Sequence, residues 1–168
     1  RAVNRWVPAV QGLLTPARLR RGSRWWLPIG PEVCIIGADL AAVELAEFLA
    51  SRGRRVHLLD EGARIAPEVG KKRRHEHMDR LDRLAVTVNA GIRIAAIEAA
   101  GVRIRNDGGL ERLVAADTVI VAGHVLPDTR LADELERHGQ RVYRVGDCTG
   151  LGLIAKATRT AAEAVCAI

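Results

Sequence analysis

The sequence predicts an α/β fold of three layers: a parallel sheet, helices on one face, an inserted β-meander on the other, and a closing strand and helix. Three observations point there. Residues 32–62, EVCIIGADLAAVELAEFLASRGRRVHLLDEG, read as strand, helix and strand around a glycine turn. Between residues 85 and 122 the apolar period falls from 3.6 towards 2, the spacing of strands. Beyond residue 140 the chain ends in VYRVGDC and an alanine-rich helical stretch.

The first 30 residues show no sustained period, and Pro8, Pro16 and Pro28 break any long helix. A short helix over 16–21 is expected, with Thr15 as N-cap and Pro16 at its first position. Trp6, Trp25 and Trp26 all fall here. Side chains of that size need cover, from the domain's own sheet or from another domain. The next segment is the βαβ unit. Glu32–Ile36 is a short buried strand and Gly37 the turn. Residues 40–52 form a helix with Ala42, Leu45, Ala46 and Leu49 on one face and Gly53 as its stop. A second strand, 55–59, runs into Asp60 and Glu61.

Residues 70–84 form a densely charged helix whose apolar stripe is only Met78, Leu81, Leu84 and Ala85, so most of it is solvated. His75 and His77, two apart, point to different sides and do not form a metal pair. Strands follow at 86–88, 92–97, 102–105, 110–114 and 118–121, with Asn106-Asp107-Gly108-Gly109 as a hairpin turn. A helix over 131–138 capped by Thr129 or Asp128, a strand over 141–145 and a helix over 152–167 complete the chain. In that last helix Ile154, Ala157, Ala161, Ala164 and Val165 are expected to face inward.

The turn after the first strand carries the chemistry. In the G-x-G-x-x-G frame that seats a dinucleotide pyrophosphate, the three positions are Gly37, Asp39 and Ala42. Gly37, Ala38, Asp39, Leu40 and Ala42 are therefore the candidate phosphate contacts. Asp60 and Glu61, at the second strand's end, are placed to hold a ribose hydroxyl. A carboxylate there favours NADH slightly over NADPH, although Arg64 stands near enough to receive a 2′-phosphate. Asp39 opposes the reading. At about 4 Å and an effective dielectric near 20, its repulsion of a phosphate is on the order of 4 kcal/mol. As an N-cap it would also occupy the amides a phosphate needs.

Composition excludes several classes. The net charge of +6 raises nucleic acid as a partner, but Arg is spread along the chain and aromatics are limited to three Trp, one Tyr and one Phe. No nucleic-acid partner is expected. No run approaches the roughly 20 apolar residues that cross a bilayer, so no membrane partner is expected either. Cys34, Cys148 and Cys166 are widely spaced and read as reduced thiols of a cytoplasmic protein. No catalytic side-chain constellation and no metal-ligand set appears in the spacing.

The order of elements, the IIGADLAAVELAEFLASRGRRVHLLDEG stretch, the DTVIVAG strand and the closing VYRVGDCTGLGLIAKATRTAAEAV resemble one group of flavoproteins. These are the old yellow enzyme-related flavin oxidoreductases of the 2,4-dienoyl-CoA reductase, trimethylamine dehydrogenase and histamine dehydrogenase type. The resemblance implies a Rossmann-like NAD(P)-binding domain over 31–125, preceded by a crossover segment, 1–30, and followed by the carboxy-terminal segment of an FAD domain, 126–168. It implies NAD(P)H and FAD as cofactors of the whole protein, with FMN and a four-iron cluster only in a part outside this sequence. That sequence begins at Arg1 rather than Met, as a piece of such a protein would.

On the same resemblance Gly123 lies beside the nicotinamide nucleotide, with His124 as a neighbour in the loop, and Asp147 holds the flavin ribityl chain. The expected partners are a nicotinamide or adenine nucleotide and the other domains of the flavoenzyme. The role implied is to position NAD(P)H for hydride transfer to FAD. The alternative is a degenerate dinucleotide fold, with an ADP-like ligand or none, that serves as a structural or interface module.

Overall fold

A computed structural model describes residues 15–25, 27–122 and 125–168. The chain folds as helix α1 (Pro16–Trp25), strand β1 (Glu32–Ile36), helix α2 (Leu40–Ala50), strand β2 (Arg55–Asp60) and helix α3 (Lys71–Arg83). Strands β3 (Thr87–Ala90), β4 (Arg93–Glu98), β5 (Gly101–Arg105), β6 (Glu111–Ala115) and β7 (Thr118–Val121) follow. Helix α4 (Arg130–Arg137), a 3₁₀ turn (Gly146–Thr149) and helix α5 (Ile154–Cys166) end it.

The four-stranded sheet has the order β3-β2-β1-β7, and every pair in it is parallel. The register runs Ile35↔Leu58 and Ile35↔Ile120. This is the strand order of a Rossmann-like half, with β7 in the fourth place. The second sheet, β4-β5-β6, is an antiparallel meander. It connects β3 to β7 where a crossover helix would otherwise run. The expected meander is present, with one correction: residues 86–88 belong to the strand that joins the parallel sheet through Leu58↔Val88. A four-residue strand alternating with polar residues carries too little pattern to declare which sheet it pairs with.

The alternation of β1 assigns the layers. Val33 and Ile35 point to the helices and pack with Ala42, Val43, Ala46 and Leu49 of α2 and with Leu58 and Leu81. Cys34, between them, points to the meander and packs with Leu59, Val102, Ile104 and Val114. Burial pushes the Cys34 thiol up to about 11, with Glu32 adding to the effect, so it stays protonated at neutral pH. This fits the structural role that the sequence assigns to it.

Local signals hold well in this core. Thr15 Oγ1 accepts from the Arg18 amide at 3.3 Å, capping α1. Gly53 ends α2 with φ +76 and its N–H on the Ala50 carbonyl. The hairpin turn closes with Gly109 at φ +78, and Asn106 Oδ1 accepts from the Leu110 amide at 2.9 Å.

Helix α3 departs from its expected stripe. Leu81 is fully buried and Leu84 half-buried, but Met78 and Ala85 are exposed. His77 takes the second anchoring place, 2 % exposed, with Nδ1 2.6 Å from Glu47 Oε1. Arg80 donates to Glu47 Oε2 at 3.3 Å. Glu47 lies off the apolar face of α2, and there it serves as the acceptor that joins the two helices. His75, by contrast, is solvated.

The carboxy-terminal part differs more. Residues 141–145 form no strand, and they pair with neither sheet. Arg141 and Tyr143 instead donate side-chain hydrogen bonds to the Ala167 carbonyl. Helix α5 forms, but Ile154 is 83 % and Val165 69 % exposed, and none of its residues is buried. Of the inward face expected for this helix, Ala157, Ala161 and Ala164 are half-buried, while Ile154 and Val165 are left exposed. The half-buried side carries Thr160, whose hydroxyl accepts from Gly146 N–H of the 3₁₀ turn. The tryptophans that were expected to need cover are Trp6 and Trp26, outside the described residues, and Trp25, described only as part of the α1 backbone.

Candidate nucleotide site

At the carboxyl ends of β1, β2 and β7 lies an open cleft of about 1040 Å³. It sits beside β1, where the connections leave to opposite sides of the sheet, the place where open α/β sheets bind ligands. Its volume is at the upper end of ligand clefts, roughly 300–1,000 Å³. Gly37, Ala38 and Asp39 line it from the first turn, and Asp60, Glu61 and Arg64 from the loop after β2. Val121 and Leu151 close other sides.

The turn is built for tight approach. Gly37 has φ +110, a conformation that L side chains rarely adopt, and its N–H bonds the Leu59 carbonyl at 2.8 Å. Ala38 is buried. Asp39 is the N-cap of α2 (φ −67, ψ 175), and its Oδ1 accepts from the Ala42 amide at 2.8 Å. This is the capping geometry the residue type favours. Ala42 is fully buried, so the third position of the glycine frame is filled by a side chain that packs in the core.

Glu68 is the residue that the sequence did not disclose. Its Oε1 accepts the Leu40 amide, another open donor of the first turn. The contact spans 28 positions, from a loop without periodicity, and no local pattern announces it. Asp60 Oδ1 accepts from Gly62 N–H at 2.6 Å, and Glu61 Oε1 from Ile94 N–H at 3.1 Å. Both carboxylates thus shape the loop after β2, and Asp60 also faces the cleft. Arg74, at the start of α3, is half-buried. It donates to the carbonyls of Ala66, Pro67 and Val69 and is committed to the loop.

Asp147 lies in the 3₁₀ turn, and its Oδ1 accepts from Gly152 N–H at 3.1 Å. It is not among the residues lining the cleft. Gly123 and His124 lie outside the described residues. Among the described residues no cluster of His, Cys, Asp or Glu could hold a metal ion, and no helix is long and apolar enough to cross a membrane.

Strand order, glycine turn and cleft define a Rossmann-like domain. The sequence pattern of the pyridine nucleotide-disulphide oxidoreductases matches residues 10–165, and the chain belongs to that family. It is 33% identical to the bilirubin reductase of Mediterraneibacter gnavus (strain CC55_001C) over 122 residues, which is 73% of this chain and 19% of that protein. It is 27% identical to the NADH oxidase of Thermoanaerobacter brockii over 124 residues, again 73% of this chain and 19% of that one. Among solved structures, a 2-naphthoyl-CoA reductase complex superposes with a TM-score of 0.70 at 27% identity, covering 84% of this chain and 21% of the other. The chain spans about a fifth of the length of the relatives it matches.

The cleft can be tested for fit against a dinucleotide. Its volume, the Gly37 turn and the carboxylate of Asp60 suit the adenosine end of such a ligand. The pyrophosphate seat does not fit as it stands, because the amides of Leu40 and Ala42 already carry carboxylates.

Proposed function

We propose that this chain is the nucleotide-binding part of a flavin-dependent NAD(P)H oxidoreductase of the dienoyl-CoA reductase or amine dehydrogenase type. It would hold the nicotinamide nucleotide against the other domains of the enzyme. The single observation that carries this is the cleft at the carboxyl ends of a 3-2-1-4 parallel sheet, opened by Gly37 and bordered by Asp60. Family membership supports it, and so do relatives described as a bilirubin reductase and an NADH oxidase. When bound, the nicotinamide supplies a hydride; FAD is the acceptor proposed for the whole protein, with FMN and an iron–sulfur cluster further on. The residues of this chain bind and orient, and none is proposed as catalytic.

Gly37, Ala38, Asp39, Leu40 and Ala42 would face the phosphates, once the carboxylates on the Leu40 and Ala42 amides give way. Asp60 would face the ribose, with Glu61 fixing its loop and the balance tilted towards NADH. Gly123 would lie near the nicotinamide. Residues 31–125 form the NAD(P) domain on this reading, 1–30 the segment that enters it, and 126–168 the return into a flavin domain where Asp147 serves. Support for that division comes from Leu126, Leu131, Leu151 and Ile154, all more than half exposed. Apolar surface of this kind is ordinarily covered by another domain. A cytoplasmic location is consistent with the reduced thiols.

A second reading is favoured by one specific observation, the two carboxylates on the first turn of α2. On it the fold keeps its architecture but binds a nucleotide weakly or not at all, and acts as a structural module. Titration of the chain with NADH and NADPH by calorimetry separates the two. The first reading expects NADH binding that Asp39→Gly tightens by at least about tenfold, or roughly 1.4 kcal/mol. Heat flow indistinguishable from buffer in both proteins would favour the module.

A further inference from the structure

We infer that Glu68, on a loop held by Arg74, joins Asp39 as a built-in occupant of the anion seat at the start of α2 and competes there with the phosphates of a ligand. The inference rests on the nucleotide reading given above for the identity of the cleft. The seat is the first turn of an 11-residue helix, whose open amides and dipole attract anions. Asp39 takes the Ala42 amide from within the helix. Glu68 takes the Leu40 amide from outside it. A phosphate arriving there meets two carboxylates and finds two of its donors in use.

Glu68 is held there by the fold. Ala66 is fully buried and has φ +39, a conformation an alanine rarely adopts, and its N–H bonds the Ala38 carbonyl. The Arg74 guanidinium collects the carbonyls of Ala66, Pro67 and Val69, the last at 2.9 Å. Ile65 and Val69 are buried on either side. The backbone that carries Glu68 is thereby fixed beside the turn, and only the glutamate side chain is free to leave. Arg74 is a positioning residue, acting through the loop rather than on a ligand.

The consequence is a selective cleft. Ligands that place no charge on the seat enter without competition. A pyrophosphate must displace the Glu68 carboxylate and tolerate Asp39. Glu68 therefore lowers the affinity of the turn for a pyrophosphate.

The test follows the amide signals of Leu40 and Ala42 in the ¹⁵N-labelled chain. Wild type, Glu68→Gln, Glu68→Ala and the double variant Asp39→Gly/Glu68→Ala are titrated with inorganic pyrophosphate and, separately, with NADH. Glu68→Gln removes the charge and Glu68→Ala also empties the seat. Pyrophosphate is expected to shift Leu40 at least about tenfold more tightly in each Glu68 variant than in wild type, with a further gain in the double variant. Equal affinity in wild type and the Glu68 variants, or no shift of Leu40 in any protein, overturns the inference. The NADH series reads the underlying proposal separately. A pyrophosphate gain without NADH binding leaves the Glu68 assignment standing and removes the nucleotide reading. NADH binding equally tight in all four proteins removes the Glu68 assignment and keeps the nucleotide reading.

Discussion

Gly101→Ala is expected to lower the melting temperature by roughly 6–12 °C, as a loss of about 3 kcal/mol does in a domain of this size. Gly101 opens β5 with φ +141, a region closed to residues with a side chain. A Cβ there would collide with the Val114 carbonyl and lie 2.9 Å from Ala115 Cα. Both neighbours are backbone of β6, tied to β5 by the pairs Gly101↔Ala115 and Val102↔Val114. They cannot turn aside as a side chain can. The backbone conformation costs about 1–3 kcal/mol and the overlap roughly as much again. Displacing β6 would also lift Val114 from Cys34 and Leu59, so the loss reaches the central sheet. Differential scanning calorimetry measures this directly. A midpoint within about 2 °C of wild type would mean that the meander accepts another register.

Leu81→Ala should cost about 2–5 kcal/mol in chemical denaturation, the range for a fully buried leucine. Helix α3 is mostly charged and makes little of its own stability. It docks through Leu81, 1 % exposed, and through His77 on Glu47. Truncating Leu81 leaves a cavity against the cluster that contains Leu49 and Leu58. Arg74 lies two turns earlier on the same helix, so a loosened α3 also weakens the grip on residues 66–69. The variant should therefore lose stability and gain pyrophosphate affinity together. A loss below about 1 kcal/mol would show that the His77–Glu47 bond suffices to hold the helix.

Much of this was legible in the sequence, for reasons that can be located. The βαβ unit reads clearly because its strand and helix periods differ and Gly37 and Gly53 punctuate them. Asp39 was readable as a cap because its partner, Ala42, is three residues away. Glu68 was not, since its partner is reached only once α2, β2 and the loop are folded. His77 was hidden for a related reason: a polar residue on a charged helix looks solvated until Glu47 is brought to it from another element. The strand expected at 141–145 and the inward placing of Ile154 and Val165 on α5 fail in the opposite direction. Their apolar spacing is real, but spacing says only that a face exists, and a partner must be supplied from elsewhere.

The position of β7 has a consequence for how the chain reaches this state. β1 and β2 meet across a single helix, and β4, β5 and β6 meet through short turns. β1 and β7 pair Ile36 with Val121, so the loop between them encloses the whole βαβ unit and the meander. The entropy of closing such a loop grows only with the logarithm of its length, but it is recovered only when the enclosed pieces are already compact. The parallel pair β1–β7 is then expected to be the final step in assembling the sheet. Core truncations at Ile120 should mainly speed unfolding, while truncations at Leu58 should also slow folding; the reverse pattern in stopped-flow kinetics would place the long closure first.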